Sequence, residues 1–317
     1  DGFLVEAGGD TIFGKMVFNC AGLYADRVQE LAFPPSVRLK LDAAEYLVFD
    51  TRAKKPEHVI FLQAETCGKG ITAIPCVEGN LLIIGAPGSG KTSVALKVAQ
   101  ELYLLNNRNP VLFFSPDLQV PSLGYIFPHR KASELYSVGE VLEQTDVYRE
   151  DVLKHTVTTK DMEGLGYLGY KAGENKYSYP RPTEDKVRQL FRCMRELADY
   201  VVVDCSSDRT DLLSSMARNE ADTIIHVTSP NLKTMCYYAS NADQFESASN
   251  YTVQVMNIQD HDIYLPLQEV NKHFKGIPYM LPYARDIKQQ TITGELSKLV
   301  PDQRYRSTAK DIARAVM

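Results

Sequence analysis

The most constraining feature of the chain is a glycine-rich stretch, Gly85-Ala86-Pro87-Gly88-Ser89-Gly90-Lys91-Thr92. An apolar run from Leu81 to Ile84 precedes it, and an amphipathic stretch that begins with Ser93 follows it. The spacing Gly-x4-Gly-Lys-Thr is typical of a loop that joins a buried strand to a helix. A strand, a loop and a helix in this order make up part of a βαβ unit. The stretch therefore favours an α/β fold with a parallel sheet.

The same stretch predicts a binding site for a nucleoside triphosphate. Glycines let backbone N–H groups point into the loop, and the helix start adds the positive end of its dipole. Lys91 is expected to reach the β- and γ-phosphates and Thr92 to offer its hydroxyl to Mg²⁺. The alternative, a glycine-rich turn that carries Lys-Thr by chance, fits the flanking strand and helix poorly. The predicted nucleotide-binding residues of this region are Gly85, Gly88, Ser89, Gly90, Lys91, Thr92 and Ser93.

Two aspartates follow other apolar runs of the sequence. Asp204 ends the run Tyr200-Val201-Val202-Val203, and we predict that it is a catalytic carboxylate and, with Thr92, a magnesium ligand. A simple strand-end cap is the alternative for Asp204. Asp117 follows the run Val111 to Phe114, on the sheet edge where open α/β folds bind ligands. Two interpretations of Asp117 stay open: it positions the attacking water or a metal-bound water, or it is a turn residue.

Composition excludes several classes of function. The 40 acidic and 35 basic residues give a net charge of -5, which does not favour a nucleic-acid or anionic-membrane surface. No apolar run approaches the roughly 18 residues of a membrane span, and no secretory pattern opens the chain. The six cysteines form no CxxC pair, and the six histidines lack zinc-ligand spacing. These observations favour a cytoplasmic protein without a membrane span or a structural zinc.

The chain falls into two parts by its sequence rhythm. From about Asn80, apolar runs alternate with amphipathic stretches, which predicts a P-loop NTPase of α/β class, with a mostly parallel sheet flanked by helices, over 80–317. Residues 1–79 lack this alternation and predict a small α+β segment, with a boundary near Gly79. The predicted strands of the larger part are Leu81 to Ile84, Val111 to Phe114, Leu165 to Leu168, Tyr200 to Val203, Thr223 to Val227, Val253 to Met256 and Ile277 to Leu281.

A few further elements are predicted with their ends. A helix is expected from Thr183 to Leu197, with Thr183 as its N-cap. In the N-terminal part we expect strands at Met16 to Asn19, Tyr46 to Phe49, His58 to Leu62 and Ile71 to Ile74, and a helix at Tyr24 to Leu31.

Two other features have a structural and a functional interpretation. The segment from Tyr167 to Tyr179 mixes tyrosines with lysines, as base-stacking surfaces do, but an exposed loop with packed tyrosines is favoured. His226 lies inside an apolar run and is expected to be a core residue. Neither feature is a clear nucleic-acid site.

From Asn80 to Thr293 the order of motifs resembles the ParA, MinD and CpaE group of P-loop ATPases. The matching segments are the glycine-rich loop, VLFFSPDLQVPSLG at 111–124, DYVVVDCSSD at 199–208 and ADTIIHVTSP at 221–230. The resemblance implies a slow Mg²⁺-dependent ATPase that acts as a nucleotide-dependent switch for a protein partner or as a homodimer. It also implies that Asn257 and the Pro282-Tyr283 segment contact the adenine. ATP is favoured by default, because no guanine-specific Asn/Thr-Lys-x-Asp signature is present.

The chain departs from this group at two positions. Ser115 stands where the group has the first aspartate of an Asp-x-Asp pair, and Ala86 stands where it has a second lysine. These departures put hydrolysis and the ATP-sandwich dimer in doubt. They leave a second interpretation open, in which the protein is a non-hydrolysing scaffold that keeps ATP as a structural ligand.

The first 84 residues resemble an internal stretch of FAD-dependent oxidoreductases of the glycerol-3-phosphate dehydrogenase and 2-hydroxyglutarate oxidase type. The matching segments are VFNCAGLYAD at 17–26, GKGI at 68–71 and GNLLI at 79–83, and Ala21 and Gly22 correspond to positions against the flavin. A fragment of a flavin oxidoreductase is thus an alternative function. FAD binding is nevertheless not expected, because the segment has no G-x-G-x-x-G turn. Exposed apolar surface is expected there, and a fused chain would explain both resemblances.

Overall fold

The structure is a computed structural model of all 317 residues. It describes residues 2–7, 9–21, 24–35, 60–61, 72–73, 80–131, 134–208, 210–242, 252–261, 263, 266–274 and 276–317. Two compact units are present, Asp1–Asp50 and Thr51–Met317. The predicted boundary near Gly79 lies outside the described residues and stays a prediction.

The first unit contains a β-hairpin and a short helix. Strands β1 (Phe3–Ala7) and β2 (Asp10–Gly14) pair antiparallel, and Gly9 takes a left-handed φ of 92° in the turn between them. Helix α1 (Ala25–Glu30) confirms the helix predicted over Tyr24 to Leu31. The predicted strand from Met16 to Asn19 is wrong: these residues are irregular, because the hairpin partners are the alternating segments before them.

Many apolar side chains of the first unit are exposed to solvent. The expectation of exposed apolar surface is confirmed for the described residues of this unit, because a two-stranded hairpin and a six-residue helix by themselves bury little apolar area. The exposed set includes Leu4, Ile12, Phe13, Met16, Phe18, Leu31 and Phe33.

Early in the second unit, β3 (Ile60–Phe61) and β4 (Thr72–Ala73) pair antiparallel, within the predicted strands His58 to Leu62 and Ile71 to Ile74. The predicted strand Tyr46 to Phe49 lies outside the described residues.

An eight-stranded sheet forms the centre of the second unit, in the order β12-β11-β10-β5-β9-β6-β8-β7. All neighbouring strands are parallel except β7 and β8. The predicted α/β class with a mostly parallel sheet is confirmed. The strands are β5 (Asn80–Gly85), β6 (Val111–Ser115), β7 (Val157–Thr159), β8 (Met162–Gly169), β9 (Tyr200–Asp204), β10 (Thr223–Thr228), β11 (Thr252–Asn257) and β12 (Tyr279–Leu281).

The seven strands predicted for this sheet are confirmed, with shifted ends. β12 begins at Tyr279 rather than Ile277, and the edge strand β7 was not predicted because it is only three residues long.

Helices cover both faces of this sheet. Helix α6 begins after Thr183, whose hydroxyl accepts the N–H of Lys186, so the predicted N-cap is confirmed. The helices are α2 (Lys91–Leu105), α3 (Leu123–Ile126), α4 (Val138–Glu143), α5 (Arg149–His155), α6 (Glu184–Leu197), α7 (Leu212–Glu220), α8 (Leu232–Ser240), α9 (Leu267–His273), α10 (Arg285–Thr293) and α11 (Gln303–Ala315). None of the helices in the described part of the chain has the length and apolar character that a membrane crossing requires.

Two apolar cores lie on opposite faces of the sheet. Along β5, Leu81 and Ile83 pack with α2 and α11 on one face, while Leu82 and Ile84 pack with α4, α6 and α7 on the other. A strand buried on both faces reads as a continuous apolar run, which is the pattern recognised in the sequence. β5 is consequently a buried central strand, and the loop that follows it emerges at the carboxyl edge of the sheet.

A buried lysine ties α2 to the C-terminal part of the chain. The Nζ atom of Lys97 donates to the carbonyl oxygens of Leu296, at 2.7 Å, and Lys298, at 2.6 Å. Arg306 of α11 pairs with the buried Glu101 of α2 at 2.7 Å. Burial lowers the pKa of Lys97 to about 7, because the charged form is poorly solvated there.

This buried amine predicts a pH dependence of stability. The folded protein releases the Lys97 proton near pH 7, whereas an unfolded lysine keeps its proton to about pH 10.4. The free energy of unfolding of the wild type should therefore rise with pH, relative to Lys97→Met, by about 1 kcal/mol per pH unit between about pH 7 and pH 9. Denaturant titrations across this range measure the difference.

The matched control is Lys272→Met, which changes a lysine that is 72% exposed and should follow the wild-type pH dependence. Parallel stability curves for Lys97→Met and the wild type would contradict the assignment.

Candidate nucleotide-binding site

Residues 86–90 form a tight loop between β5 and α2, so the motif from Gly85 to Thr92 spans a strand end, a loop and a helix start as predicted. Gly88 and Gly90 have φ angles of 77° and 81°, a left-handed conformation that favours glycine. At Gly85 an added Cβ would lie 2.3 Å from the carbonyl oxygen of Val227 in β10. Glycine is therefore needed at position 85 for close packing against β10. At positions 88 and 90 it is needed for the left-handed backbone conformation.

The start of α2 offers backbone donors to an anion. Gly90 is the N-cap of α2 and supplies no side-chain cap, so a side chain does not compete for the first N–H groups of the helix. Such N–H groups and the helix dipole together attract phosphate. Ser89 and Lys91 are buried in this loop, and the hydroxyl of Ser89 has no hydrogen-bond partner among the described residues.

Lys91, Thr92 and Asp204 meet at the carboxyl ends of β5 and β9. The hydroxyl of Thr92 donates to Oδ2 of Asp204 at 2.6 Å. The amine of Lys91 donates to the carbonyl oxygen of Cys205, in the residue after β9. The structure thus brings together the three residues that the sequence predicted for phosphate and metal chemistry.

The carboxylate of Asp204 is buried, and one of its two oxygens accepts the hydrogen bond from Thr92. Its Oδ1 atom has no hydrogen-bond partner among the described residues. Burial raises the pKa of Asp204 above its ordinary value, and the Lys91 charge and the Thr92 hydrogen bond oppose this rise. A hydroxyl and a carboxylate oxygen side by side are the hard oxygen ligands that Mg²⁺ takes, so these residues fit the ion.

Asp117 lies in the loop after β6, near Asp204. Its Oδ1 atom accepts the backbone N–H groups of Gln119, at 2.9 Å, and Val120, at 3.1 Å. The geometry is that of an Asx turn, so the turn interpretation is confirmed. Its charge nevertheless contributes to the raised pKa of Asp204. Because Asp117 is both a turn residue and a neighbour of the site, its role toward water stays a prediction.

Ser115 ends β6 and is fully buried. Its hydroxyl faces the Asp204 carboxylate closely enough to oppose the rise in the Asp204 pKa, but without hydrogen-bond geometry. A serine here leaves one carboxylate fewer beside the site than an aspartate would.

Two loop contacts at the site were missed by sequence reasoning. The hydroxyl of Ser207 donates to the carbonyl oxygen of Gly85 at 3.1 Å. The side chain of Gln119 donates to Oδ2 of Asp208 at 2.8 Å, which joins the loop after β6 to the loop after β9. Neither pair belongs to a sequence motif, and the partners of each lie far apart in the chain, by 89 residues for Gln119 and Asp208.

Asn257 lies against the phosphate loop. Its Nδ2 atom donates to the carbonyl oxygen of Ser89 at 3.0 Å, and an added Cβ on Gly90 would lie 2.3 Å from this atom. Asn257 also lines a cavity of about 270 Å³ together with Gly90, Ser93 and Tyr283. Pro282 does not line this cavity, although the next residues, Tyr283 and Ala284, do.

Of the two features with a structural and a functional interpretation, His226 is a core residue as expected, whereas the segment from Tyr167 to Tyr179 begins inside β8 rather than in an exposed loop. His226 is buried in β10, and its ring stacks on that of Tyr238 with 5.5 Å between the ring centroids. Burial lowers the pKa of His226 to about 4. Tyr167 and Tyr170 are buried, whereas Tyr177 is 83% exposed in an irregular segment. The described residues also contain no group of three or more His, Cys, Asp and Glu that could hold a metal.

Comparison with known proteins gives a partial sequence match. No protein-family model matches the chain. A glycerol 3-phosphate dehydrogenase of Caloramator mitchellensis is 35% identical over 83 residues, which fits the resemblance of the N-terminal segment. These residues are 26% of this chain and only 17% of the length of that protein.

Solved structures match most of the chain. A ParA family ATPase from Chlorobium tepidum TLS has a TM-score of 0.62 and 16% identity, over 75% of this chain and 99% of that chain. MinD of Pyrococcus horikoshii OT3, complexed with Mg-ADP, has a TM-score of 0.58 and 17% identity, over 75% and 95%. The MinC:MinD cell division complex of Aquifex aeolicus gives 0.56 and 18%, over 76% and 96%. About three quarters of this chain therefore has the fold of the ParA and MinD P-loop ATPases.

Proposed function

We propose that residues 80–317 bind Mg·ATP and hydrolyse it slowly, as a nucleotide-dependent switch for a protein partner. The observation that carries this proposal is the meeting of the glycine loop with Lys91, Thr92 and Asp204. The solved MinD that holds Mg-ADP supports the ligand, and the MinC:MinD complex supports a protein partner. A homodimer is the other partner that this fold suggests.

The protein would hold the nucleotide at two ends. The N–H groups at the start of α2 and the amine of Lys91 would bind the phosphates, while the cavity beside Gly90, lined by Tyr283, would take the adenine. The hydroxyl of Thr92 and the free Oδ1 of Asp204 would hold Mg²⁺. When bound, this ion neutralises charge on the phosphate oxygens.

Catalysis in such a site is mostly positioning and charge neutralisation. Asp117, anchored through Oδ1, would use its other oxygen to orient the attacking water. We attribute slow turnover to Ser115, which leaves one carboxylate fewer, and to Ala86, which supplies no second lysine.

A switch needs a part that changes when the ligand binds. We expect Lys91 to turn from the Cys205 carbonyl toward the β- and γ-phosphates when the nucleotide binds, which would release the segment after β9. The Gln119–Asp208 hydrogen bond would carry this change to the loop after β6. The loops after β6 and β9 would therefore change conformation with the bound nucleotide, and a protein partner would recognise that change.

A flavin oxidoreductase is the second candidate, and the match to glycerol 3-phosphate dehydrogenase is the observation that favours it. The described part of the chain offers no dinucleotide-binding turn. We expect a colourless preparation, and absorbance in the flavin region would support the oxidoreductase instead.

Bound ATP that survives for hours with Mg²⁺ would support the non-hydrolysing scaffold.

Lys91→Ala should weaken ATP binding. The variant loses charge-assisted hydrogen bonds worth about 1.5–3 kcal/mol, so the Kd should rise roughly ten- to hundredfold. Calorimetric titration measures this change. Lys272→Ala removes the same charge from an exposed position and should bind like the wild type. Equal affinity of Lys91→Ala and wild type would show that the phosphate site is misassigned.

Asp117→Asn should lower turnover without weakening binding. An asparagine oxygen still accepts the Gln119 and Val120 N–H groups, so the turn is kept while the charge is lost. Loss of a catalytic carboxylate typically costs about 10²–10⁴ in kcat. Phosphate release in single-turnover assays measures the rate, with the exposed Asp185→Asn as control. Unchanged turnover would leave Asp117 as a turn residue only.

A further inference from the structure

The peptide group between Ser89 and Gly90 is held from outside the phosphate loop. Its carbonyl oxygen accepts the Nδ2–H of Asn257 at 3.0 Å and lies 3.3 Å from the hydroxyl of Ser229. Ser89, Ser229 and Asn257 are all buried, so water cannot replace these contacts. A buried carbonyl that lost its donor would be destabilised.

Asn257 and Ser229 differ in how strongly they bind the Ser89 carbonyl oxygen. The hydroxyl of Ser229 has a single proton, and its shorter contact, 2.9 Å, is with the backbone carbonyl oxygen of Asn257. Ser229 therefore chiefly fixes the end of β11. Asn257 holds the Ser89 carbonyl directly.

The direction of the Ser89 carbonyl fixes the direction of the Gly90 N–H group. A peptide group is planar and trans, so the N–H of Gly90 points away from the carbonyl of Ser89. The carbonyl faces β10 and β11, on one side of β5. We therefore expect the Gly90 N–H to point away from β10 and β11, and β9, which ends in Asp204, is the neighbour of β5 on that side.

We propose that Asn257 and Ser229 are positioning residues that orient the Gly90 N–H toward the phosphates. This inference rests on the proposed function, and it changes the expected role of Asn257. The side chain acts on the phosphate end of the nucleotide through the loop, rather than on the adenine.

Gly90 is part of the same arrangement. An added Cβ at Gly90 would lie 2.3 Å from Nδ2 of Asn257 and 2.7 Å from Nε2 of Gln259. The side chain of Asn257 thus occupies the space that a Cβ atom of residue 90 would take. A larger residue at this position would displace these side chains, and its φ of 81° favours glycine as well.

The test compares two ligands, Mg·ATP and inorganic triphosphate with Mg²⁺, by titration calorimetry on the full chain. Asn257→Ala should weaken both by about the same factor, roughly five- to fiftyfold. Ser229→Ala should weaken both by a smaller factor, and Ser229→Thr, which keeps the hydroxyl, should restore binding. Tyr283→Ala, on the cavity wall, should weaken ATP and leave inorganic triphosphate unchanged.

Each other outcome identifies a different error. Asn257→Ala that weakens ATP but not inorganic triphosphate would overturn the proposal in favour of a base contact. Unchanged binding of both ligands would overturn it in favour of a purely structural pair. Should Asn257→Ala fail to fold by circular dichroism, Asn257→Ser and Ser229→Ala provide the same comparison. A wild-type protein that bound neither ligand would refute the proposed function itself.

Discussion

The hydrogen bond between Thr92 and the buried carboxylate of Asp204 joins the first turn of α2 to the end of β9. It depends on β5 lying directly between β10 and β9, with apolar side chains packed on both faces. The close approach of β10 at Gly85 leaves no space for a side chain. The glycine loop is therefore held by the central sheet rather than by its own sequence alone, and its donors are directed before a ligand arrives.

The charges at the site are arranged around this contact. Asp204 is buried with a raised pKa, and the nearest positive charge that opposes the rise is Lys91. In the structure Lys91 is directed to a backbone carbonyl rather than to the carboxylate. A polyphosphate offers Lys91 a stronger partner than that carbonyl, because both groups of the new pair are charged. If the proposed function holds, exchange of one partner for the other would link phosphate binding to the segment after β9.

The sequence predicted those parts of the site that depend on local patterns. The loop from Gly85 to Thr92 follows from residue spacing, and Asp204 follows from its place at the end of a buried apolar run. Distant pairs that belong to no motif, such as Gln119 and Asp208, could not be predicted this way. Asn257 was connected with the nucleotide only through a family resemblance, and the structure places its side chain on Ser89. The strand expected at Met16 to Asn19 failed because pairing partners, not composition, decide which alternating segment forms a hairpin.

The proposed function requires that this arrangement bind a nucleoside triphosphate together with Mg²⁺. Its most direct test is calorimetric titration of the full chain with ATP, in the presence and in the absence of Mg²⁺. One ATP should bind per chain, with an affinity that rises when Mg²⁺ is present, since Thr92 and Asp204 supply oxygen ligands for the ion. Absence of binding, or an affinity that does not respond to Mg²⁺, would contradict it.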